Sequence, residues 1–122
     1  MNEYRKRHIR NVEDLSDPYR KGLVQRITKN LLDVQVLRLV RMRPLWGYMM
    51  KKYGETKFDV KLRHGALYPL LNNLEREGYL TSEKQLEAGR KRKVYMITQK
   101  GRHYLESYEG ILREQLECKD IE

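Results

Sequence analysis

Cysteine is almost missing from this sequence: its 122 residues include one, Cys118, beside a single tryptophan and a single phenylalanine. One cysteine cannot close an intrachain disulfide, so a small disulfide-stapled secreted fold is excluded. Cys118 is expected as a small, partly buried hydrophobe near the end of the last helix, with an intersubunit disulfide or redox sensor as the alternative. No apolar run approaches the roughly 18 residues of a membrane-spanning helix, and the opening residues lack the apolar core of a signal peptide. The expected setting is cytoplasmic, with no membrane partner.

The marks of catalysis are missing as well. There is no glycine-rich phosphate loop, no serine in a nucleophile elbow, and no histidine with an obvious carboxylate to orient it. His8, His64 and His103 are scattered, with no cysteine or carboxylate at metal-ligand spacing. Neither an enzyme, a metal site nor a cofactor is therefore expected. Internal repeats and low-complexity tracts are lacking too.

Charge is what the chain has in quantity. Lys and Arg number 26 against 17 Asp and Glu, for a net charge of +9, and 35% of residues are charged. The isoelectric point is near 9.7 and the mean hydropathy −0.86. One domain of this size buries roughly 60 to 70% of the surface its unfolded chain exposes. A core is expected, but a thin one, with part of the apolar surface left for a partner subunit. Clustered Lys and Arg release condensed counterions on meeting phosphates, so nucleic acid is the first partner to consider.

The stretch around which the chain is organised is Gly65-Ala-Leu-Tyr-Pro-Leu-Leu-Asn-Asn-Leu-Glu-Arg-Glu-Gly-Tyr-Leu80. At 100° per residue Leu67, Leu70, Leu71 and Leu74 gather on one side of a helix over 65–77. Gly65, Pro69, Asn72 and Arg76 gather opposite, with Tyr68 and Asn73 on the flanks. Proline is tolerated only near a helix start, which places that start at residues 65–67, and Gly78 supplies the left-handed position that ends it. Glu75 and Glu77 come late, so the first two turns present hydrogen-bonding groups and no negative charge. A helix of about three turns with small groups at its open end suits a DNA major groove.

Upstream, Tyr4-Arg-Lys-Arg-His-Ile-Arg10 is a basic cluster, read either as a solvated end or as an arm on DNA. Ser16-Asp-Pro18 signals a helix start, with proline at the first helical position. Leu23, Ile27, Leu31, Val34 and Leu37 then recur at helical spacing, as one helix or two with a break at 28–30. The part over 31–42 carries a second stripe of Leu32, Val36, Leu39 and Val40 and is expected to be buried on more than one side. After Pro44, residues 45–52 read as a short helix with Leu45, Met49 and Tyr53 inward. Gly47 between Trp46 and Tyr48 implies an approach with no room for a Cβ. Trp46 is a core aromatic or a stacking surface for a flat ligand. Residues 54–63 alternate Phe58, Val60 and Leu62 in an extended lead-in.

Downstream, 79–86 and 93–97 read as a β-hairpin whose turn spans 87–91, placing Arg90, Lys91, Arg92 and Lys93 at its tip. Thr98 caps a final helix running to about residue 119. One of its stripes is Leu105, Leu112 and Leu116, and the other is Tyr104, Tyr108, Ile111 and Cys118, the latter near heptad spacing.

Three segments in this order, the stretch over 65–80, Pro44-Leu-Trp-Gly-Tyr48, and Gly89-Arg-Lys-Arg-Lys-Val-Tyr-Met-Ile-Thr-Gln-Lys-Gly101, resemble the PadR-like family of winged-helix transcriptional regulators. The resemblance covers roughly residues 31–116. Trp46 stands where the family more often has a histidine, and Arg63-His64 replaces a small or polar pair. What it implies is a mainly α fold with a small β-hairpin wing: a winged helix-turn-helix domain with N-terminal and C-terminal dimerisation helices. The corresponding division is a basic arm over 1–17, the domain with its leading helix over 18–98, and a dimerisation helix over 99–122.

The function expected is a sequence-specific regulator, a repressor, reading a pseudo-palindromic operator in double-stranded DNA as a homodimer. Asn72 and Asn73 would read bases. His64, Gly65, Ala66, Tyr68, Pro69, Arg76, Arg90, Lys91 and Arg92 would face or grip the duplex. Leu23, Ile27, Tyr104, Leu105, Tyr108, Ile111, Leu112 and Leu116 would dimerise. A small planar effector near the dimer interface also fits the resemblance. A weakly specific architectural DNA-binding protein and a winged-helix protein-interaction module remain as alternatives.

Overall fold

The computed structural model describes residues 17–117, so the basic cluster at 4–10 and Cys118 lie outside the described residues. The chain divides into two compact units between Leu31 and Leu32. The first holds α1 (Arg20–Asn30). Pro18 is not at its first helical position. Instead the Asp17 carboxylate accepts the Tyr19 N–H at 2.9 Å, a local turn that ends one residue before the helix starts. Leu31 closes α1 by donating its N–H to the Ile27 carbonyl, one residue past the expected break.

The second unit runs α2 (Leu32–Met42), β1 (Leu45–Trp46), α3 (Gly47–Phe58), α4 (His64–Arg76), β2 (Leu80–Glu87), β3 (Arg90–Ile97) and α5 (Gln99–Glu117). Two of its boundaries depart from expectation. Leu45 and Trp46 are not helical but pair with Tyr95 and Val94, making β1 the third strand of an antiparallel sheet ordered β1-β3-β2. The helix after it runs on to Phe58, where Asp59 (φ 55°) ends it in the left-handed region. Met50, fully buried, is its chief core residue, while Met49 is half-buried. Val60 and Leu62 are buried in the extended link to α4.

The core is built from α2. Val36, Leu37, Leu39 and Val40 are all at most 2% exposed, each stabilising the fold by about 1.5–3 kcal/mol. Leu67, Leu71 and Leu74 of α4, Leu80 of β2, Tyr95 of β3 and Leu105 of α5 are buried as well. Leu105 has no exposed surface and so has nothing to offer a second chain. That corrects its place among the dimerisation residues. The last helix also belongs to the same compact unit as the sheet, not to a segment of its own. Arg41 of α2 makes a two-pronged ion pair with Glu109 of α5 at 2.7 and 2.9 Å, joined by Arg38 at 3.7 Å. The start of α5 rides directly on the chain before β2: a Cβ at Gly101 would fall 2.1 Å from the Tyr79 carbonyl oxygen.

Candidate nucleic-acid interface

Helix α4 begins at His64 and ends at Arg76, within a residue of the expected bounds. Its end is a Schellman motif: Gly78 donates to Glu75 O at 3.0 Å and Tyr79 to Leu74 O at 2.9 Å, with Gly78 at φ 86°. Lys100 of α5 adds a bond to Glu77 O at 2.7 Å. Thr98 sits between the two helices. Its hydroxyl accepts the Gly101 N–H at 2.9 Å as the cap of α5, and donates to Gly78 O at 2.6 Å. Pro69 is deeper in the helix than expected, at its sixth residue. The carbonyl it leaves without a helical partner is that of Gly65, which is exposed to water, so the loss is tolerated.

The outward face of α4 presents His64, Gly65, Ala66, Pro69, Asn72, Asn73 and Arg76, all exposed. Within this face the residues differ in freedom. The Asn72 amide makes no hydrogen bond to the described residues, whereas Asn73 accepts one from the Arg76 guanidinium. Gly65 has open space where a Cβ would go, so the fold itself does not require a glycine there.

Tyr68 turns out to be engaged inside the chain. Its hydroxyl lies 2.3 Å from where a Cβ at Gly47 would be, so the Tyr68 side chain of α4 reaches the start of α3 at a place with no room for a Cβ. Lys51 of α3 stands over the Tyr68 ring at 5.5 Å, and the His64 ring lies 4.3 Å from it. The Gly47 and Lys51 contacts join the two helices. The glycine was readable as a close approach, but its partner 21 residues on was not.

The wing corrects the expected turn. Ala88 (φ 50°) and Gly89 (φ 78°) alone form a two-residue turn, both residues left-handed, the geometry whose twist matches a hairpin. Arg90 therefore pairs with Glu87 beside the turn, and Lys91, Arg92 and Lys93 lie along β3 on alternating faces. Arg90 and Lys91 are exposed and have no ion pair among the described residues. Arg92 is half-buried with its guanidinium 5.0 Å over the Trp46 ring, and both Arg92 Nε and Trp46 Nε1 are buried without a hydrogen-bond partner. Trp46 thus stacks on a wing cation, a contact no local pattern announces.

Lys93 faces the other way, 3.1 Å from Glu75 of α4, whose second oxygen accepts the Ser82 hydroxyl of β2. The Ser82 hydrogen bond and then Lys93 hold the Glu75 carboxyl below the ordinary glutamate range, against the opposing effect of its partial burial. The hydrogen bond to Glu75 likewise raises Lys93.

On the far side, Tyr79 stacks on Tyr104 at 4.3 Å, and Tyr108 meets Tyr104 edge-on at 5.9 Å. A depression of about 480 Å³ opens there, lined by Tyr79, Gln99, Lys100, His103, Tyr104 and Ser107. Along α5 the two tyrosines are half-buried, Leu112 is half-buried, and Ile111 and Leu116 are 58% and 88% exposed. On α1, Leu23 and Ile27 are 49% and 51% exposed. Among the described residues no helix is long and apolar enough to cross a membrane.

Two short helices joined by a five-residue link, the second opening outward beside an antiparallel hairpin, define the winged-helix class. Residues 36–107 match the transcriptional regulator PadR-like family, and the chain belongs to it. Over 47 residues it is 44% identical to the transcriptional regulator Rv3488 of Mycobacterium tuberculosis, a match covering 38% of this chain and 44% of that protein. The chain thus matches less than half the length of this curated relative. A PadR family transcriptional regulator from Eggerthella lenta superposes with a TM-score of 0.67 at 26% identity, over 84% of this chain and 96% of the other. A transcriptional regulator from Clostridium thermocellum gives 0.65 at 25% identity, over 79% and 98%.

Proposed function

We propose that the chain is a sequence-specific DNA-binding transcription factor, a repressor that reads a pseudo-palindromic operator as a homodimer. The observation that carries this reading is the free Asn72 amide on the exposed face of α4, behind the small groups Gly65, Ala66 and Pro69 and opposite the leucines of the core. A side-chain amide so placed can bond adenine in bidentate fashion. Asn73, tied to Arg76, serves as a secondary contact. Arg90 and Lys91 of the wing grip flanking phosphates, while His64 and Arg76 border the groove. The exposed Ile111 and Leu116, with Leu23 and Ile27, supply the apolar surface for a second copy. For a small planar effector the depression beside Tyr79 and Tyr104 is the proposed seat, since a flat ring would extend that stack. Saturable quenching of tyrosine emission by flat aromatic ligands tests it.

Selection of bound sequences from a random duplex pool, followed by two variants, tests the main proposal. Asn72→Ala should cost on the order of 1–3 kcal/mol at one base pair per half-site and leave random-duplex binding nearly intact. Arg90→Ala should weaken all sequences by a similar factor and make the salt slope shallower. Equal loss on both duplexes for Asn72→Ala would mean that this face does not read bases. Equal affinity of the wild type for selected and random duplex would favour an architectural protein.

A further inference from the structure

Glu75 occupies an unfavourable place for an acid. It lies in the last turn of α4, where the helix dipole is negative, and about 60° around the helix from Asn72, close to the face proposed for DNA. An ion pair as open to water as Glu75 and Lys93, whose side chains are 31% and 45% exposed, adds little to folding stability. Neither helix preference nor stability accounts for a glutamate here. What the residue does is visible in its contacts. One oxygen accepts Ser82, the other holds Lys93 at 3.1 Å, and the Lys93 ammonium is further drawn over the Tyr95 ring at 5.3 Å. Of the four consecutive cations 90–93, Arg92 is stacked on Trp46 and Lys93 is held by Glu75, which leaves Arg90 and Lys91.

We propose that Glu75 is a positioning residue that withholds Lys93 from the phosphates and so limits the sequence-independent part of duplex affinity. The inference rests on the DNA-binding reading above. With the carboxylate in place the pair presents no net charge beside the groove. Without it, Lys93 swings free on a long flexible stem next to the wing, and each protomer gains one phosphate contact.

The test compares wild type, Glu75→Gln, Lys93→Gln and the double variant on a random-sequence duplex over a series of salt concentrations. Glutamine keeps the shape of Glu75 and can still meet Ser82, and equal thermal midpoints for the four proteins verify that the fold is retained. Glu75→Gln should bind several-fold more tightly at low salt, with a log–log salt slope steeper by about 0.9 per protomer. Lys93→Gln alone leaves the Glu75 carboxylate unpaired beside the groove and should weaken binding modestly without a shallower slope, and in the Glu75→Gln background it should abolish the gain. An unchanged or shallower slope for Glu75→Gln overturns the inference, as does a slope made shallower by Lys93→Gln alone, since Lys93 would then already touch phosphate. Failure of the wild type to bind duplex at low salt would overturn the DNA reading and this inference with it; wild-type binding without the Glu75→Gln gain sinks the inference only.

Discussion

Gly47→Ala puts the junction of the two helices to the test, because the clash it creates is defined atom by atom. The new Cβ would lie 2.3 Å from the Tyr68 hydroxyl oxygen, 2.7 Å from Cζ and 3.0 Å from Cε1. Unbonded heavy atoms rest at about 3.5–4.0 Å, so the ring must retreat by roughly 1 Å. Tyr68 is half-buried and can swing, at the expense of its contacts with Lys51 and His64. An off-rotamer side chain costs about 0.5–1.5 kcal/mol and a lost cation–π contact about 0.5–1 kcal/mol. The helix preference of alanine over glycine, at most about 1 kcal/mol and less at a first helical position, offsets part of this. The expected net loss is about 1–2 kcal/mol. In a Tyr68→Ala background the obstacle is gone, and the same substitution should be neutral or slightly stabilising. Urea unfolding of the four proteins at one fixed concentration closes the cycle, fixed because association shifts apparent stability. A coupling of about 1–2 kcal/mol is expected; additivity within about 0.5 kcal/mol would refute the claim that Tyr68 leaves no room for a Cβ at Gly47.

Gly65→Ala, by contrast, meets open space and should leave unfolding unchanged or stabilise it by up to about 1 kcal/mol. Its affinity for the selected duplex should fall, and undiminished binding would show that α4 does not bring its open end against DNA. Glu109→Gln should destabilise by about 1–2 kcal/mol at neutral pH through the charge-assisted bonds to Arg41. Arg41 holds the Glu109 carboxyl below its ordinary value of 4.5, so this contribution is present above that value and is lost as pH falls below it through the lowered folded-state value. The variant should therefore show a smaller stability loss over that acid range than the wild type, and parallel pH curves would count against the pair. Ile111→Asp combined with Leu116→Asp changes only exposed residues and should yield folded monomers by sedimentation; a persistent dimer would place the interface elsewhere.

Local features of α4 were legible because they depend on near neighbours. Four leucines at helical spacing and Gly78 at the end mark the helix, its buried side and its stop, and the buried Leu67, Leu71 and Leu74 and the Schellman motif follow that reading. Thr98 as the cap of α5 was legible for the same reason, its bond reaching only three residues on. Gly47 was recognisable as a close approach without its partner.

The contacts that decide what each side chain is free to do were not legible. Whether residues 45–46 form a helix or a strand depends on an open strand edge 48 residues later. A run of four cations looks like one basic tip, yet a two-residue turn spreads it along β3. There Trp46 and Glu75 take up two of its members and leave two in water. Leu105 and Leu116 look equivalent on a helical wheel, but only the first turn or two of α5 overlie the core. The amino-acid order by itself determined the apolar side of α4, its glycine stop and the threonine cap of α5, since those follow from backbone sterics and spacing within a few residues. Only the tertiary structure decided which charges are paired and which apolar groups stay exposed, because Coulombic and packing contacts depend on distances between atoms far apart along the chain.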